Sequence, residues 1–394
     1  EIAFNYMGIK PLTKTPKGQD KFDMEMLEEL SKSHDWANNL RVYNKLGKIK
    51  STYIDRFLDG QEDGKYFFYF KQNGTVSGRY GSDAQQLPKP KEEGDDVPII
   101  VHYNNLVRSF LIAGKGRKVI DADYESLEPH CFASVSGDEG LQDIFNNGWD
   151  FYSTIAIKTE KLDEQRDKYP NGVSPDKKAP NFLKKIDPSK RNQAKGYALG
   201  IAYGMEAYAL SKGLEISQKD AEVLVDGYLN GFPKLKEWRI NSREQVKQHG
   251  FIVNRVGRIR HLPKAKQIYS KYGEQILDWR FRKELSERYG TEAVTQLYRD
   301  YKNAMNNCLN YQLQSLAAAV VNRAAIQINR KLNELGIDGR VQAQVHDQLL
   351  INVPEDVAEQ LKPIIQELME NTTKLPGVTL KAPPEIANNW FEGH

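Results

Sequence analysis

Apolar residues recur at helical spacing in several long stretches of the chain. The clearest stretch runs from Met305 to Leu335, with Gly336 as a stop, and predicts one long helix. Its buried face consists of apolar residues three or four positions apart, namely Leu313, Leu316, Val320, Ala324 and Ile328. The first 65 residues and the charged segment 264–303 are also expected to be helical, although the charged segment indicates no mechanism.

Segments that favour strands lie between the helical stretches. The aromatic run Tyr66–Phe70 predicts one strand, and Arg117–Tyr124 predicts another that ends in carboxylates. Residues 340–345 and 349–353 predict a hairpin with Asp347 at its tip. A carboxylate at the end of a strand is exposed and rigidly held, and a metal ligand needs both properties.

The composition predicts a soluble globular protein. A chain of 394 residues with 39% hydrophobic content is long enough for two or three packed units. No apolar run approaches the ~20 residues of a membrane span, and the N-terminal residues do not form a signal peptide. Cys131 and Cys308 are too few and too isolated for a disulfide framework or a zinc site, which fits a reducing compartment.

The net charge of +3 is too small to indicate a polyanionic partner by itself. Its distribution is more informative, because the segment 234–266 contains ten Lys or Arg residues and two acidic ones. A second basic cluster lies between Lys177 and Lys195. Such clusters can follow a phosphate backbone, but a solvated helix face has the same composition.

A basic helix is predicted to begin after Asp187, which can cap it, with Pro188 in its first turn. One stripe of this helix is formed by residues four positions apart: Arg191, Lys195, Leu199 and Tyr203. Two cations followed by an apolar and an aromatic side chain suit a ligand with phosphates and a flat ring. Gly196 and Gly200 indicate that another group approaches the backbone closely. On this segment alone, a solvated basic helix is an equally good interpretation.

Three stretches carry a family resemblance because they occur in a fixed order: Asp123–Glu128, Arg191-x3-Lys195-x7-Tyr203-Gly204, and Val345-His346-Asp347. Together they resemble motifs A, B and C of the family A DNA polymerases. Four further matches are Lys48–Tyr53, Ser77-Gly78-Arg79 with Gln85–Pro88, Asn310-x3-Gln314, and the ending Asn389–His394. The resemblance therefore covers nearly the whole chain.

The resemblance implies an α+β fold shaped like a right hand, with an antiparallel sheet in the palm and mostly helical thumb and fingers. We expect part of the thumb at 1–65, the palm at 66–148 and again at 250–394, and the fingers at 149–249. In such a fold Asp123 and Asp347 meet on the palm sheet. The implied function is template-directed DNA polymerisation, in which dNTPs are added to a primer 3′-hydroxyl by two-metal phosphoryl transfer.

The resemblance also assigns roles around the reacting groups. Asp123, Asp347 and the carbonyl of Tyr124 would hold two Mg²⁺ ions, for which Mn²⁺ can substitute. The residues that would bind the incoming dNTP are Arg191, Lys195, Leu199, Tyr203 and Glu128. Among these, Lys195 is the expected proton donor to pyrophosphate, and Glu128 is expected to exclude a ribose 2′-hydroxyl.

Primer-template DNA is the second implied partner. Contacts to it are expected from Lys48, Lys50, Ser51, Thr52, Arg79, Gln85, Arg258, Asn310, Gln314 and His346. Among them, Arg79, Asn310 and Gln314 can donate to the minor-groove edge, which is nearly the same for all base pairs. His346 is expected at the primer terminus, although a structural turn histidine fits the same position.

The expected setting is a cytoplasmic monomer, bacterial or in the host of a phage, without a membrane partner. No exonuclease signature precedes the thumb, so this chain is not expected to proofread. A processivity factor, an N-terminal exonuclease or another domain outside this sequence is compatible with the resemblance.

Four residues depart from the common family pattern. Leu199 stands where the family usually has Phe or Tyr, so stacking on the incoming nucleotide and dideoxynucleotide use do not follow from the resemblance. Leucine here also suggests a phage-like lineage. Gln348 stands where a third carboxylate usually follows Asp347, and the missing charge is expected to tune activity. His130 replaces an Arg and Tyr152 replaces a His, which leaves their contacts open.

Two other functions remain alternatives. A single-subunit RNA polymerase or a reverse transcriptase can share the carboxylates and the Arg and Lys of the basic helix, but Glu128 argues against rNTP use. A catalytically inactive DNA-binding relative would not need both Asp123 and Asp347.

Overall fold

The computed structural model describes residue 4, residues 7–14 and residues 18–393. In this part of the chain the α-helices are α1 (Met24–Leu30), α2 (Asp35–Ile49), α3 (Asp55–Gly60), α4 (Pro98–Ser109), α5 (Leu127–Ser136), α6 (Glu139–Asn146), α7 (Phe151–Glu160), α8 (Leu183–Ile186), α9 (Pro188–Ala202), α10 (Ala207–Leu214), α11 (Gln218–Gly231), α12 (Pro233–His249), α13 (Pro263–Tyr272), α14 (Trp279–Tyr289), α15 (Thr291–Glu334) and α16 (Ala358–Asn371). The strands are β1 (Thr13–Lys14), β2 (Asp20–Lys21), β3 (Gln61–Glu62), β4 (Lys65–Tyr66), β5 (Phe70–Lys71), β6 (Gly81–Ser82), β7 (Arg117–Asp123), β8 (Phe251–Val253), β9 (Ile259–His261), β10 (Arg340–Val345), β11 (Gln348–Pro354) and β12 (Pro384–Ala387). The predicted α+β class is confirmed.

A four-stranded antiparallel sheet with the order β10-β11-β7-β12 is the largest sheet in the described residues. β7 lies between β11 and β12, and its residues 119–122 are buried. The register pairs Gln348 with Asp123 at one end of β7 and Pro354 with Arg117 at the other. The predicted hairpin of β10 and β11 is present, and His346 in its turn has a left-handed backbone with φ of 57°.

The long helix α15 packs against this sheet with the predicted apolar face. Its residues Leu313, Leu316, Val320, Ala324 and Ile328 are buried in the same core as Leu349 and Ile351 of β11. The helix begins at Thr291 instead of Met305, so the predicted boundary is wrong. The added turns bury Val294 and Tyr301 in a second core, which α15 forms with α12, α13 and α14. The charged segment thus also contributes to a core.

A helical layer containing α7, α9, α10 and α11 packs beside the sheet. α9 begins as predicted, because Asp187 accepts a hydrogen bond from Lys190 N at 3.2 Å and Pro188 occupies the first turn. The close approaches expected at its two glycines come from the protein. An added Cβ at Gly200 would lie 2.6 Å from Met205 Cε, and one at Gly196 would lie 3.1 Å from Leu214 Cδ2.

The aromatic run near residue 66 does not form the predicted single strand. The structure has the two-residue strands β4 and β5 with irregular backbone between them. Tyr66 and Phe68 pack on Phe57, whereas Phe67 and Tyr69 are 70% and 71% exposed. In the described residues this segment pairs only through the two-residue ladders β3-β4 and β5-β6, so the backbone between them has no partner strand. No helix in the described residues is long and apolar enough to cross a membrane.

Candidate active site

The two strand-end carboxylates lie next to each other at one end of the central sheet. Asp123 is the last residue of β7 and is paired with Gln348, the residue that follows Asp347. The two strands are also joined just beyond their paired residues, where Tyr124 N donates to the Asp347 carbonyl at 3.4 Å. Two residues that are far apart in sequence are therefore held together by backbone hydrogen bonds.

Like charge is concentrated at this sheet end. Desolvation by the surrounding protein and the neighbouring Asp347 carboxylate raise the pKa of Asp123 to about 7, although part of its side chain reaches solvent. Burial likewise raises the pKa of Asp347. Neither carboxylate has an ion pair within the described ranges. The site is thus prepared for a cation that the protein itself does not supply.

The donors available here are oxygens. The described residues contain no cluster of three or more His, Cys, Asp or Glu side chains arranged to hold a metal ion. Asp123 and Asp347 provide carboxylates, and Tyr124, which follows Asp123 and whose N–H donates to the Asp347 carbonyl, has a backbone carbonyl of its own. The Tyr124 ring is anchored in the core, where its hydroxyl donates to Met369 O at 2.6 Å. Hard cations such as Mg²⁺ prefer oxygen ligands and few protein carboxylates, so this donor set fits them.

Glu128 connects two other predicted site residues. Arg79 Nη2 donates to one of its carboxylate oxygens, and the Tyr203 hydroxyl donates to the other. Burial and the negative charge of Glu128 raise the pKa of Tyr203. The carboxylate at the start of α5 is therefore fixed from two sides, by the segment after β5 and by the residue that follows α9.

Arg258 lies directly against Gly78, beside Arg79. Gly78 has a positive φ of 81°, and an added Cβ would overlap the Arg258 guanidinium. Only glycine fits this close approach without strain. The exposed Arg258 is thereby placed near the Arg79 and Glu128 contact.

The cations of α9 differ in their surroundings. Arg191 forms a two-point ion pair with Asp150, in which Nε and Nη2 each lie 2.9 Å from a carboxylate oxygen. Its guanidinium also lies 5.4 Å from the ring centre of Tyr152. Lys195 is exposed and has no polar partner in the portion of the chain that is described. Leu199 is partly buried against the large core.

Most of the predicted DNA-binding residues lie away from these contacts. Lys48 and Lys50 are exposed at the end of α2, where Lys50 pairs with Asp55 at 2.8 Å. Ser51 donates to Gly47 O at 2.9 Å, and Thr52 follows it in a π-helical turn. Gln85 donates to Tyr80 O at 2.8 Å. Asn310 and Gln314 are half-buried one turn apart on α15 and have no hydrogen-bonded side-chain partner in the described ranges.

The other positions flagged by the sequence have clear contacts. His130 is buried, its Nδ1 lies 2.9 Å from Ser126 O, and its ring lies 3.9 Å from that of Phe145. Burial lowers the pKa of His130. His346 is exposed at the tip of the hairpin, and desolvation followed by the charge of Arg79 lowers its pKa. His394 lies outside the described residues.

Sequence reasoning missed two acidic residues that contact the site. Asp150 was not predicted as the partner of Arg191, although its position before α7 makes it a recognisable helix cap. Asp121 lies two residues before Asp123 and is 3% exposed. Burial raises its pKa to about 7, and Gln348 Nε2 donates to both of its oxygens at 2.8 and 2.7 Å. The signal for Asp121 was a charged residue between the apolar residues Ile120 and Ala122 in the middle of a predicted strand.

Comparison with known proteins gives a consistent family match. The sequence profile of DNA polymerase family A matches residues 1–172 and 174–392. The thermostable DNA polymerase I of Thermus filiformis is 28% identical over 99% of this chain and 40% of its own length. DNA polymerase I of Pseudomonas aeruginosa is 27% identical over 100% of this chain and 37% of its own length. The chain thus spans about 40% of these relatives.

A solved structure has the same fold. The POL domain of Pol1 from M. smegmatis, in complex with DNA primer-template and dNTP, superposes with a TM-score of 0.75. It is 23% identical, and the match covers 100% of this chain and 60% of that chain. At this identity the likeness concerns the fold.

Proposed function

This chain belongs to DNA polymerase family A, and we propose that it is a template-directed DNA polymerase that adds dNTPs to the 3′-hydroxyl of a primer. The observation that carries the proposal is the pairing of β7 with β11, which sets Asp123 and Asp347 side by side. Relatives named DNA polymerase I, and a neighbour of the same fold that binds primer-template and dNTP, support it.

Asp123, Asp347 and the carbonyl of Tyr124 are the groups that would hold two Mg²⁺ ions, with Mn²⁺ as a substitute. Desolvation and, to a smaller extent, a neighbouring carboxylate raise the pKa of each aspartate, and divalent cations would stabilise the ionised carboxylates. When bound, such ions lower the pKa of the primer hydroxyl and stabilise the charge on pyrophosphate. The sheet would hold the backbone of the two aspartates at fixed neighbouring positions.

α9 would bind the triphosphate. The free ammonium of Lys195 is available to the β- and γ-phosphates and can give a proton to pyrophosphate, because an ammonium loses a proton more readily than a guanidinium. Arg191 uses Nε and Nη2 for Asp150, which leaves Nη1 for a phosphate. Leu199 and Tyr203, further along the same helix face, would pack beside the nascent base pair.

Glu128 would discriminate against ribonucleotides. Its carboxylate is held by Arg79 and Tyr203, so it cannot move aside without losing two charge-assisted hydrogen bonds. A ribose 2′-hydroxyl placed against it would meet a side chain that does not yield. This would favour dNTPs over rNTPs.

The DNA would be bound mainly through its backbone. The residues proposed for this role are Lys48, Lys50, Ser51, Thr52, Gln85, Arg258 and His346. Asn310 and Gln314, whose amides have no hydrogen-bonded partner in the part of the chain that the structure describes, would reach the minor-groove edge together with Arg79. Donors at that edge test pair geometry without reading sequence. We further propose that 1–65 forms part of a thumb, 66–148 and 250–394 a palm, and 149–249 fingers.

Primer extension tests the function directly. A primed DNA template is incubated with Mg²⁺ and each dNTP singly, and only the complementary dNTP should be incorporated. Asp347→Ala should keep its DNA affinity and lose extension. Unchanged extension by this variant would contradict the metal role, and DNA binding without extension by the unmodified chain would favour the inactive DNA-binding alternative.

A second assay tests sugar selection. Incorporation of dATP is compared with that of ATP on the same template, for the unmodified chain and for Glu128→Ala. We expect the preference for dATP to fall by roughly tenfold or more in the variant. Glu125→Ala is the matched control, because it removes a nearby exposed carboxylate and should leave the preference intact. Equal use of both nucleotides by the unmodified chain would refute the assignment of Glu128.

A further inference from the structure

A buried polar chain runs from the C-terminal segment to the strand that carries Asp123. Trp390 Nε1 donates to Gln348 Oε1 at 3.2 Å, and Gln348 Nε2 donates to both oxygens of Asp121. All three side chains are at most 4% exposed. At the other end, the guanidinium of the buried Arg108 lies 4.4 Å from the ring centre of Trp390. This series of buried side chains thus has a cation, Arg108, at one end and an acid, Asp121, at the other.

The donors and acceptors fix the orientation of the Gln348 amide. An indole N–H can only donate, so Gln348 must present its carbonyl oxygen to Trp390. The amide nitrogen then faces Asp121 with two hydrogens, which require an acceptor. The carboxylate of Asp121 meets that requirement with both oxygens.

The negative charge of Asp121 is unnecessary for this hydrogen bonding. An Asn at position 121 could accept from Gln348 through its own amide oxygen and would avoid the cost of burying a charge. Arg108, whose positive charge compensates that of Asp121 in part, contacts the Trp390 ring and forms no ion pair with Asp121 in the described residues. A charge that makes the fold less stable and has a neutral substitute of the same shape points to a role outside folding.

Position explains what that role is. Asp121 and Asp123 are two residues apart on β7, so their side chains leave the same face of the sheet. Its hydrogen-bond partner Gln348 follows Asp347 directly and is paired with Asp123 across the ladder. The Asp121 side chain is therefore bonded to Gln348, which follows one proposed metal ligand, Asp347, and pairs with the other, Asp123.

We propose that Asp121 is a positioning residue of the divalent-metal site: through the Gln348 amide it holds Asp347 against Asp123, and its carboxylate adds negative charge behind them. The inference rests on the proposed function, because that function assigns the metals to Asp123 and Asp347. Asp121 is buried against Gln348 and is proposed as a positioning residue, not as a metal ligand. The pair consists of one carboxyl group, on Asp121, and one amide, on Gln348, and the two strands could exchange them.

The test exchanges the carboxyl and amide groups between positions 121 and 348. Mn²⁺ is the probe, and electron paramagnetic resonance measures its binding to the DNA-free protein. Asp121→Asn keeps the shape and removes the charge, and Mn²⁺ affinity should fall about tenfold, as for other residues behind metal ligands. Gln348→Glu sets two carboxylates in contact, and its melting temperature should fall by several degrees. The double variant restores one carboxylate and one amide in contact, and its Mn²⁺ affinity should return to within about threefold of the original.

Asp338→Asn is the matched control. It also removes one carboxylate charge, but Asp338 is an exposed partner of Arg117 at the opposite end of β7, roughly 20 Å from Asp123 at ~3.3 Å per residue. Its Mn²⁺ affinity should stay within about twofold of the original. A loss as large as that of Asp121→Asn would show that the effect is not specific to the site and would overturn the proposal.

Two further results would overturn it. One is an Asp121→Asn variant that is more stable and binds Mn²⁺ as tightly as the original. The other is a double variant that binds Mn²⁺ no better than Asp121→Asn alone. Primer extension by the unmodified chain is measured separately, so a failure of the proposed function is distinguishable from a failure of this inference.

Discussion

The carboxylates at the sheet end and the cations of α9 are held in opposite ways. Asp123 and Asp347 are fixed by a backbone ladder, and their charges repel each other. The two cations project from one helix, where Arg191 is already paired with an acid and Lys195 extends into solvent. The sheet end is therefore arranged before its cations arrive, whereas the helix face is completed by the anion that it binds. Substitutions of the sheet-end carboxylates should therefore nearly abolish primer extension, whereas substitutions on the helix should reduce it to a smaller degree.

The largest effect is expected from Asp123→Asn. Losing one of two carboxylates should reduce primer extension on the order of a thousandfold or more, because metal ions supply several kcal/mol of charge stabilisation. The same change removes a repulsion, so the melting temperature of the metal-free protein should not fall. Single-turnover extension and a thermal melt measure the two. A loss of extension accompanied by a large loss of stability would mean that Asp123 acts mainly in folding.

A smaller loss is expected on the helix. Lys195→Ala removes a phosphate ligand and the proposed proton donor, and we expect roughly a hundredfold decrease in kcat. Lys185→Ala is the matched control, because it removes an exposed lysine from the neighbouring helix α8 and should change kcat by less than about twofold. Equal effects of the two variants would show that only the general positive charge of this region matters.

The ion pair between Arg191 and Asp150 should have a modest influence. Asp150→Asn keeps a side chain that can cap α7 but weakens the hold on the guanidinium, so the KM for dNTP should change by only about two- to fivefold. Asp138→Asn caps α6 in the same way and does not contact Arg191, so it should leave this KM unchanged. A hundredfold change in Asp150→Asn would mean that α9 is as rigidly arranged as the sheet.

The smallest effect is on stability as a function of pH. The pKa of Asp121 is about 7 in the folded protein against 3.8 as a free side chain, so between these values the folded protein holds a proton that the unfolded chain has released. Raising the pH through this window should lower the melting temperature of the metal-free protein by a few degrees. Asp121→Asn should flatten the dependence more than Asp123→Asn, because Asp123 is partly screened by solvent. Thermal melts from pH 4 to 8 measure this. If the melting temperature of Asp121→Asn depended on pH as strongly as that of the original, the raised pKa of Asp121 would be contradicted.

Features encoded by neighbouring residues could be predicted from the sequence. The start of α9 follows from Asp187 and Pro188, and the hairpin around Asp347 follows from alternation on both sides of a turn. The start of α15 was misplaced, since the apolar residues of this helix up to Tyr311 belong to the second core and only those from Leu313 onward to the first. The aromatic run after Tyr66 has strand-forming residues but lacks a partner strand.

Contacts between residues far apart in the sequence could not be predicted. Asp150 and Arg191 are 41 residues apart, and Asp121 and Gln348 are 227 apart, so no local pattern links either pair. Gln348 was noted only as a missing carboxylate, because the sequence does not show which residue its amide contacts. The roles of individual site residues depend on such pairings and remain predictions.

The 44 residues of α15 extend roughly 66 Å at 1.5 Å per residue and enter both of the larger cores. A helix interrupted in its middle leaves backbone N–H and C=O groups unbonded on both sides of the break. If one core melted while the other stayed folded, α15 would have to break in this way, and the unbonded groups would cost free energy. The two cores are thereby coupled in unfolding. Heat should disrupt them in a single cooperative transition.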